Sequence, residues 1–217
     1  MPCPLCHSKT DPFIEAAGRT YRNCKTCWLI SVPPEHLIPE NEEKERYLEH
    51  ENSLDNPGYV QMFMDKIQLL PSYCPKVRTV LDFGCGYEPV LVSLLNREGY
   101  RAEGFDFFFH PEWPSDKTFD LVISTETFEH LKDPARELDR IEKVIAPGGY
   151  LAVMTQFYPA SHGEPDPTEF AKWYYQRDPT HIRFFSPETF RWLEGHKNFK
   201  ITFLNDKDFV ILQRTHL

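Results

Sequence analysis

Val80-Leu81-Asp82-Phe83-Gly84-Cys85-Gly86-Tyr87-Glu88-Pro89 is an apolar run that delivers an acid and then two glycines one residue apart. It reads as a buried strand ending in a turn, where missing side chains let the backbone approach a ligand closely. The flanks extend the pattern. Residues 77–83 form the expected strand, and 89–97, with Val90, Leu91, Leu94 and Leu95, form an amphipathic helix after the turn. A second short strand, 101–105, ends in Asp106, 20 residues beyond Gly86. Strand, glycine turn, helix, strand and terminal acid describe a nucleotide-binding βαβ unit. In such a unit the glycines admit the ligand and the acid accepts hydrogen bonds from ribose hydroxyls.

The residue three beyond Gly86 narrows the nucleotide. A dinucleotide fold asks for Gly-x-Gly-x-x-Gly, and its third glycine position is here Pro89. Downstream, residues 119–125 read as a further strand, followed by Glu126 and the triplet Glu129-His130-Leu131. Asp133-Pro134 supplies an N-cap and a proline at the first helical position, and Leu138, Ile141, Val144 and Ile145 give that helix its apolar face. Pro147-Gly148-Gly149 ends it, and 150–155 is the next strand. Ser186 reads as the cap of a helix over 187–194, and the segments 199–204 and 209–212 read as a terminal antiparallel hairpin.

Acid-x-Gly-x-Gly, the Glu-His-Leu triplet after a strand, and helix, Pro-Gly-Gly, strand together resemble class I S-adenosylmethionine-dependent methyltransferases. The resemblance implies an α/β fold with a Rossmann-like, mostly parallel sheet, helices on both faces and an antiparallel C-terminal hairpin. It implies S-adenosylmethionine as cofactor, with Asp82, Gly84, Cys85 and Gly86 against its methionine portion, Asp106 on the ribose and Phe107 beside the adenine. Thr125 and Glu126, at the end of the fourth strand, are expected near the cofactor too. There is one departure: only 13 residues separate Asp106 from Asp120, where such proteins fit a helix, a third strand and an acidic loop. The third strand is therefore expected to be missing or reduced to a stub. Cys85 reads as packed or close to cofactor rather than as a nucleophile. Glu129 alone carries no role, and His130 reads equally as a local cap and as a catalytic group.

The N-terminus has its own logic. Cys3 and Cys6 form one C-x-x-C pair and Cys24 and Cys27 another, 17 residues apart, which is zinc-ribbon spacing. Four thiolates converging on one Zn²⁺ make a closed structural site; iron uses the same ligands. A thioredoxin-like pair would sit inside a βαβ unit, and neither pair does. With Phe13, Ile14, Tyr21, Trp28, Leu29 and Ile30 as its large apolar groups, the segment is expected to draw its folding energy from the metal. The chain thus divides into a zinc ribbon over 1–39 and a methyltransferase domain over 40–217, in which 40–76 supplies covering helices or linker. Within that bridge, 40–51 is rich in Glu and Lys and reads as a solvated helix or charged linker. Residues 59–70 read as a helix closed by Pro71 and Pro75.

The formal net charge of −9 argues against a general nucleic-acid binder, and the ribbon's +1 is too small to make an RNA-binding face. No run approaches the ~20 apolar residues of a membrane helix and the first residues do not resemble a signal peptide, so a cytoplasmic location is expected. Oligomeric state is not encoded legibly. Residues 156–180 are dense in aromatics, and His181-Ile182-Arg183-Phe184-Phe185-Ser186-Pro187 resembles the zinc-ribbon-bearing methyltransferases, where the segment after the fifth strand shapes the acceptor pocket. His181 is the leading candidate for a general base or acceptor-orienting group. Tyr158 and Tyr174 are weaker ones. The expected partner is a small-molecule methyl acceptor presenting an O, N or C nucleophile. Rival readings are an NAD-dependent oxidoreductase, a noncatalytic binding module with a remnant cofactor fold, and a ribosomal-RNA methyltransferase.

Overall fold

The computed structural model describes residues 1–49 and 53–215; residues 50 and 51 of the expected charged segment lie outside them. In chain order the elements are β1 (Asp11–Ala16), β2 (Arg19–Asn23), β3 (Ile30–Ser31), α1 (Glu40–Leu48), α2 (Pro57–Ile67), α3 (Leu70–Tyr73), β4 (Thr79–Phe83), α4 (Val90–Arg97) and β5 (Arg101–Phe105). There follow β6 (Phe119–Thr125), α5 (Pro134–Val144), β7 (Ile145–Met154), a small ribbon of β8 (Ala160–Ser161) and β9 (Glu164–Pro165), and α6 (Pro167–Lys172). The chain closes with β10 (Arg183–Phe184), α7 (Pro187–His196), β11 (Phe199–Leu204) and β12 (Phe209–Arg214).

The main sheet runs β11-β12-β7-β6-β4-β5. Its members β5, β4, β6 and β7 are parallel, while β12 is antiparallel to β7 and β11 to β12. The two-residue period of a strand sorts its side chains onto two covered faces. Leu81, Phe83, Val122, Leu151, Val153, Val210 and Leu212 pack with α5 and α7 through Leu138, Ile141, Phe190 and Leu193. On the other face, Val80, Leu121, Ile123, Ala152, Met154 and Ile211 pack with α2 and α4 through Phe63, Ile67, Leu91 and Leu95. Asp133 accepts from the backbone N–H of Arg136 and Ser186 from that of Thr189, so both expected N-caps are in place.

The third strand is absent. Between β5 and β6 the chain makes a single bridge, Asp106 to His110, and β5 is the sheet edge. Trp113 packs edge-on against Phe105 at 5.0 Å, and the Arg140 guanidinium lies 4.3 Å from the Trp113 ring centroid, closing that side of the core. From β4 the chain goes outward to β5 and then returns to the far side of β4 as β6. The strand order therefore reverses there and opens a crevice at the carboxyl ends of β4 and β6.

Four expectations need correction. Pro71 does not close the second helix: it sits in the first turn of α3, where its missing N–H costs nothing. Pro147-Gly148-Gly149 lies inside β7, which starts at Ile145; a Cβ on Gly149 would meet the carbonyl oxygens of Asp120 and Ala146 at 2.8 and 2.9 Å. The acidic α1 is not simply solvated, because Glu43 is buried and the Tyr47 ring packs against His130 and Phe108. The N-terminal segment also does not rely on metal alone. Its sheet runs β1-β2-β3-β10 and takes its last strand from the C-terminal half of the chain. Tyr21, Ile30 and Val32 are buried there with Tyr158, Phe170, Tyr175 and Phe184. No helix among the described residues is long and apolar enough to cross a membrane.

Candidate functional site

The glycine turn leaves β4 at the mouth of the crevice. Gly84 has φ +90° and donates to the Phe105 carbonyl at 2.7 Å; a Cβ there would lie 2.1 Å from Oγ1 of Thr127. Gly86 has φ +70° and faces open space, the cradle a ligand backbone needs. Its N–H donates to Oδ2 of Asp106 at 3.1 Å, and the N–H groups of Phe108 and Phe109 donate to Oδ1 at 2.9 and 3.1 Å. Asp106 is thus pinned by three backbone donors at the tip of β5. Phe107 beside it is 42% exposed, with Phe83 and Phe105 edge-on at 5.6 and 5.1 Å. Cys85 is buried, its Sγ filling the space left by Gly104, and burial pushes its thiol well up, so it is packed and inert.

Asp82 is the unusual member. It is buried, and its Oδ1 has no hydrogen-bond partner. Burial, with the Asp106 charge adding to it, pushes its carboxyl up to about 8. In the folded chain this group keeps its proton to about pH 8, whereas in the unfolded chain it loses it near pH 4. Folding therefore takes up a proton between those values, and stability falls as pH rises across that window. Asp82→Asn should remove the effect: its thermal melt should match the parent at pH 4 and exceed it at pH 8 and above. Parallel pH–stability curves for the two proteins would contradict this environment.

A second group gathers after β6. Thr125 is buried and its carbonyl accepts from Oγ1 of Thr127 at 3.1 Å. Glu126 adopts φ +48°, donates its N–H to Met154 at 2.9 Å and accepts the Tyr175 hydroxyl at 3.0 Å. Its carboxyl is pushed up to about 7 by burial. A 3₁₀ turn over Phe128–His130 then brings in Glu129, which is fully buried and held well above the usual carboxylate range by burial and by the Glu126 charge. The two acid groups are close enough to act on the same tyrosines. Burial raises Tyr59 and Tyr47, with the charges of Asp82 and Glu126 added at Tyr59 and, at Tyr47, first the hydrogen-bonded Glu43 and then the charges of Glu129 and Asp106.

His181 reaches this group from 51 residues beyond His130. The Ile182 N–H donates to the Glu129 carbonyl at 2.8 Å, Nδ1 of His130 donates to the Thr180 carbonyl at 3.0 Å, and the two imidazoles sit 4.8 Å apart. Nδ1 of His181 donates to the Tyr175 carbonyl at 2.8 Å, leaving Nε2 as the basic nitrogen. Two arginines hold this loop. Arg46 of α1 grips both carboxylate oxygens of Asp178 at 3.1 Å. Arg19, at the start of β2, donates to the carbonyls of Gln176, Asp178, Pro179 and His181. The N-terminal sheet is thereby tied to the backbone that carries His181.

The two tyrosine candidates are elsewhere. Tyr158 is buried against the N-terminal sheet with its hydroxyl donating to the Trp28 carbonyl at 2.7 Å, a structural position. Tyr174 is 63% exposed and bonded to Gln156. It is the adjacent Tyr175 that reaches Glu126, and nothing in the local sequence separates the two. Glu129, Tyr47 and Arg19 also went unassigned in the sequence, and His130 was left between a local cap and a catalytic group. One available signal was Glu126-x-x-Glu129-His130, a spacing that puts both carboxyl groups on one side of a single tight turn.

At the N-terminus the four cysteine sulfurs converge. Sγ of Cys3 and Cys27 are 3.4 Å apart, as are those of Cys6 and Cys24. Four thiolates about 2.3 Å from a tetrahedral ion stand about 3.8 Å from one another, so the cluster fits one such ion with slight expansion.

The match to a family model decides the fold family: residues 55–203 match the model described as methyltransferase domain. The chain belongs to the methyltransferase-domain family. This match takes in the glycine turn, Asp106, the Glu126–His130 turn and His181. Solved structures share the fold. An O-methyltransferase family protein from Burkholderia thailandensis superposes with TM-score 0.53 at 15% identity, covering 80% of this chain and 63% of that one. Magnesium protoporphyrin IX methyltransferase from Synechocystis PCC 6803, with bound S-adenosylhomocysteine, gives 0.52 at 15% identity, covering 81% and 94%. A SAM-dependent methyltransferase from Archaeoglobus fulgidus gives 0.50 at 16% identity, covering 72% and 94%. The chain therefore spans less than two thirds of the Burkholderia protein. No curated protein matches in sequence.

Proposed function

We propose that this methyltransferase-domain protein transfers the methyl group of S-adenosylmethionine to an oxygen, nitrogen or carbon nucleophile of a small molecule. The observation that carries the reading is the acidic crevice, with Asp82 Oδ1 buried and without a hydrogen-bond partner at its floor. S-adenosylmethionine brings a sulfonium and an ammonium to such a site, whereas a dinucleotide brings a pyrophosphate that seeks backbone donors at a helix N-terminus. When bound it supplies an electrophilic methyl group on a good leaving group.

The residues divide the work by position. Gly86 leaves room for the methionine portion, Asp82 gives up its proton to meet the ammonium as a carboxylate, and Asp106, already oriented by three N–H groups, suits the ribose hydroxyls. Phe107 offers an exposed face for adenine. Nε2 of His181 orients the acceptor. Holding reactants in line supplies much of the rate, which is why the loop under His181 is so heavily braced. A net charge of −9 favours a small acceptor over a polyphosphate chain. In the N-terminal sheet, zinc on Cys3, Cys6, Cys24 and Cys27 is structural, since all four positions are filled by protein.

Thermal shift tests the donor. At a hundredfold excess over Kd a ligand adds about 2.7 kcal/mol, or about 5–10 °C for a chain of this size. S-adenosylmethionine and S-adenosylhomocysteine should each produce that rise and NADH should not. Stabilisation by NADH alone would replace this reading with an oxidoreductase.

A further inference from the structure

Glu129, His130 and His181 each offer one donor atom, and the three atoms lie within 4.8 Å of one another. Glu129 is fully buried, and neither of its carboxylate oxygens has a hydrogen-bond partner; Oε1 stands 3.7 Å from Nε2 of His130. A carboxylate in such a place is costly unless a positive charge compensates it. The imidazoles are set up to supply neutral nitrogen ligands beside it. Each donates its Nδ1–H to a backbone carbonyl, His130 to Thr180 and His181 to Tyr175, which leaves the lone pair of each ring on Nε2. Histidines that hold metal ions are oriented by this kind of bond from the other ring nitrogen.

The geometry points to a divalent metal site in which the Glu129 carboxylate, Nε2 of His130 and Nε2 of His181 are three ligands, with the remaining positions available to water and to an oxygen of the methyl acceptor. Two imidazoles and one carboxylate suit a first-row transition ion such as Mn²⁺, Fe²⁺ or Co²⁺ better than Ca²⁺ or Mg²⁺, which favour all-oxygen shells. The site is distinct from the four cysteines in both place and chemistry. Its ligands are preassembled: the Ile182 N–H bond to Glu129 fixes the spacing between the two turns, and Arg19 and Arg46 hold the His181 loop from outside.

The consequence for catalysis rests on the methyl-transfer reading; the site itself does not. An acceptor hydroxyl bound to the ion loses its proton more readily, to water in the crevice, and the oxygen so formed is held at a fixed point as it takes the methyl group. His181 then acts on the acceptor through the ion rather than as a base, and the acceptor class narrows to oxygen nucleophiles able to ligate a metal.

The test is a titration of the full-length, zinc-replete protein with Mn²⁺, following the free ion by electron paramagnetic resonance. Mn²⁺ stands lowest in the affinity order of first-row ions and will not displace zinc from thiolates. One Mn²⁺ per chain is expected, with binding weakened at least about tenfold in Glu129→Gln and in His130→Asn. Circular dichroism and melting curves are recorded on the same samples. Where one variant fails to fold, the other, or His181→Gln, provides the measurement. Absence of Mn²⁺ binding in the parent, or binding unchanged in folded variants, overturns the site. Failure of the methyl-transfer reading shows differently, as Mn²⁺ binding with no thermal response to S-adenosylmethionine.

Discussion

Cys27→Ser is expected to release one zinc per chain and to lower the melting temperature by about 10 °C or more. Cys27 is fully buried, its Sγ 3.4 Å from that of Cys3, so the substitution removes one of the four sulfurs of the proposed zinc site. Zinc contributes about 10–16 kcal/mol to isolated zinc-finger peptides. Here the loss is smaller than that, because Tyr21, Ile30 and Val32 retain apolar partners from the C-terminal half. It is still several kcal/mol, and each kcal/mol moves the midpoint by about 2–4 °C in a chain of this length. Because β3 pairs with β10 and the Trp28 carbonyl holds the Tyr158 hydroxyl, the damage should spread beyond the cysteines. Calorimetry with metal analysis checks this. An unchanged melt with one zinc retained would remove the metal from the account.

Arg19→Met should cost about 3 kcal/mol and loosen residues 176–182 selectively. One guanidinium donates to four carbonyls of that loop, and hydrogen bonds from a charged donor contribute about 1.5–3 kcal/mol each, less where the orphaned carbonyls regain water. Arg19→Lys should rescue little, since an ammonium lacks the planar fork that spans several acceptors. Hydrogen exchange should show the His181 loop losing protection while β4, β6 and β7 keep theirs. Uniform loss across the sheet would mean that Arg19 serves global stability and not the placement of His181.

Cys27 falls where the sequence was plain, Arg19 where it was silent. The central sheet was legible because its signals are local: short, nearly continuous apolar runs in β4 and β6, capping at Asp133 and Ser186, and a glycine turn whose φ values only glycine accepts readily. The missing third strand was legible from length alone, as the 13 residues between Asp106 and Asp120 are too few for helix and strand. The tyrosines could not be told apart for the opposite reason. Tyr158, Tyr174 and Tyr175 are alike in sequence, and only the packing of the 156–185 segment against the N-terminal sheet decides which hydroxyl meets Glu126.

By itself the sequence determined the α/β architecture, the glycine cradle with Asp82 and Asp106, and four cysteines at metal spacing, because each is written in residues close together in the chain. Tertiary structure alone decided that β10 completes the N-terminal sheet, that Arg19 braces the His181 loop, and that Glu129, His130 and His181 share one point. Those contacts join residues 51 to 162 positions apart. Long-range pairing of this kind leaves no periodicity, because it is set by which buried faces and unsatisfied backbone groups meet once the core has formed.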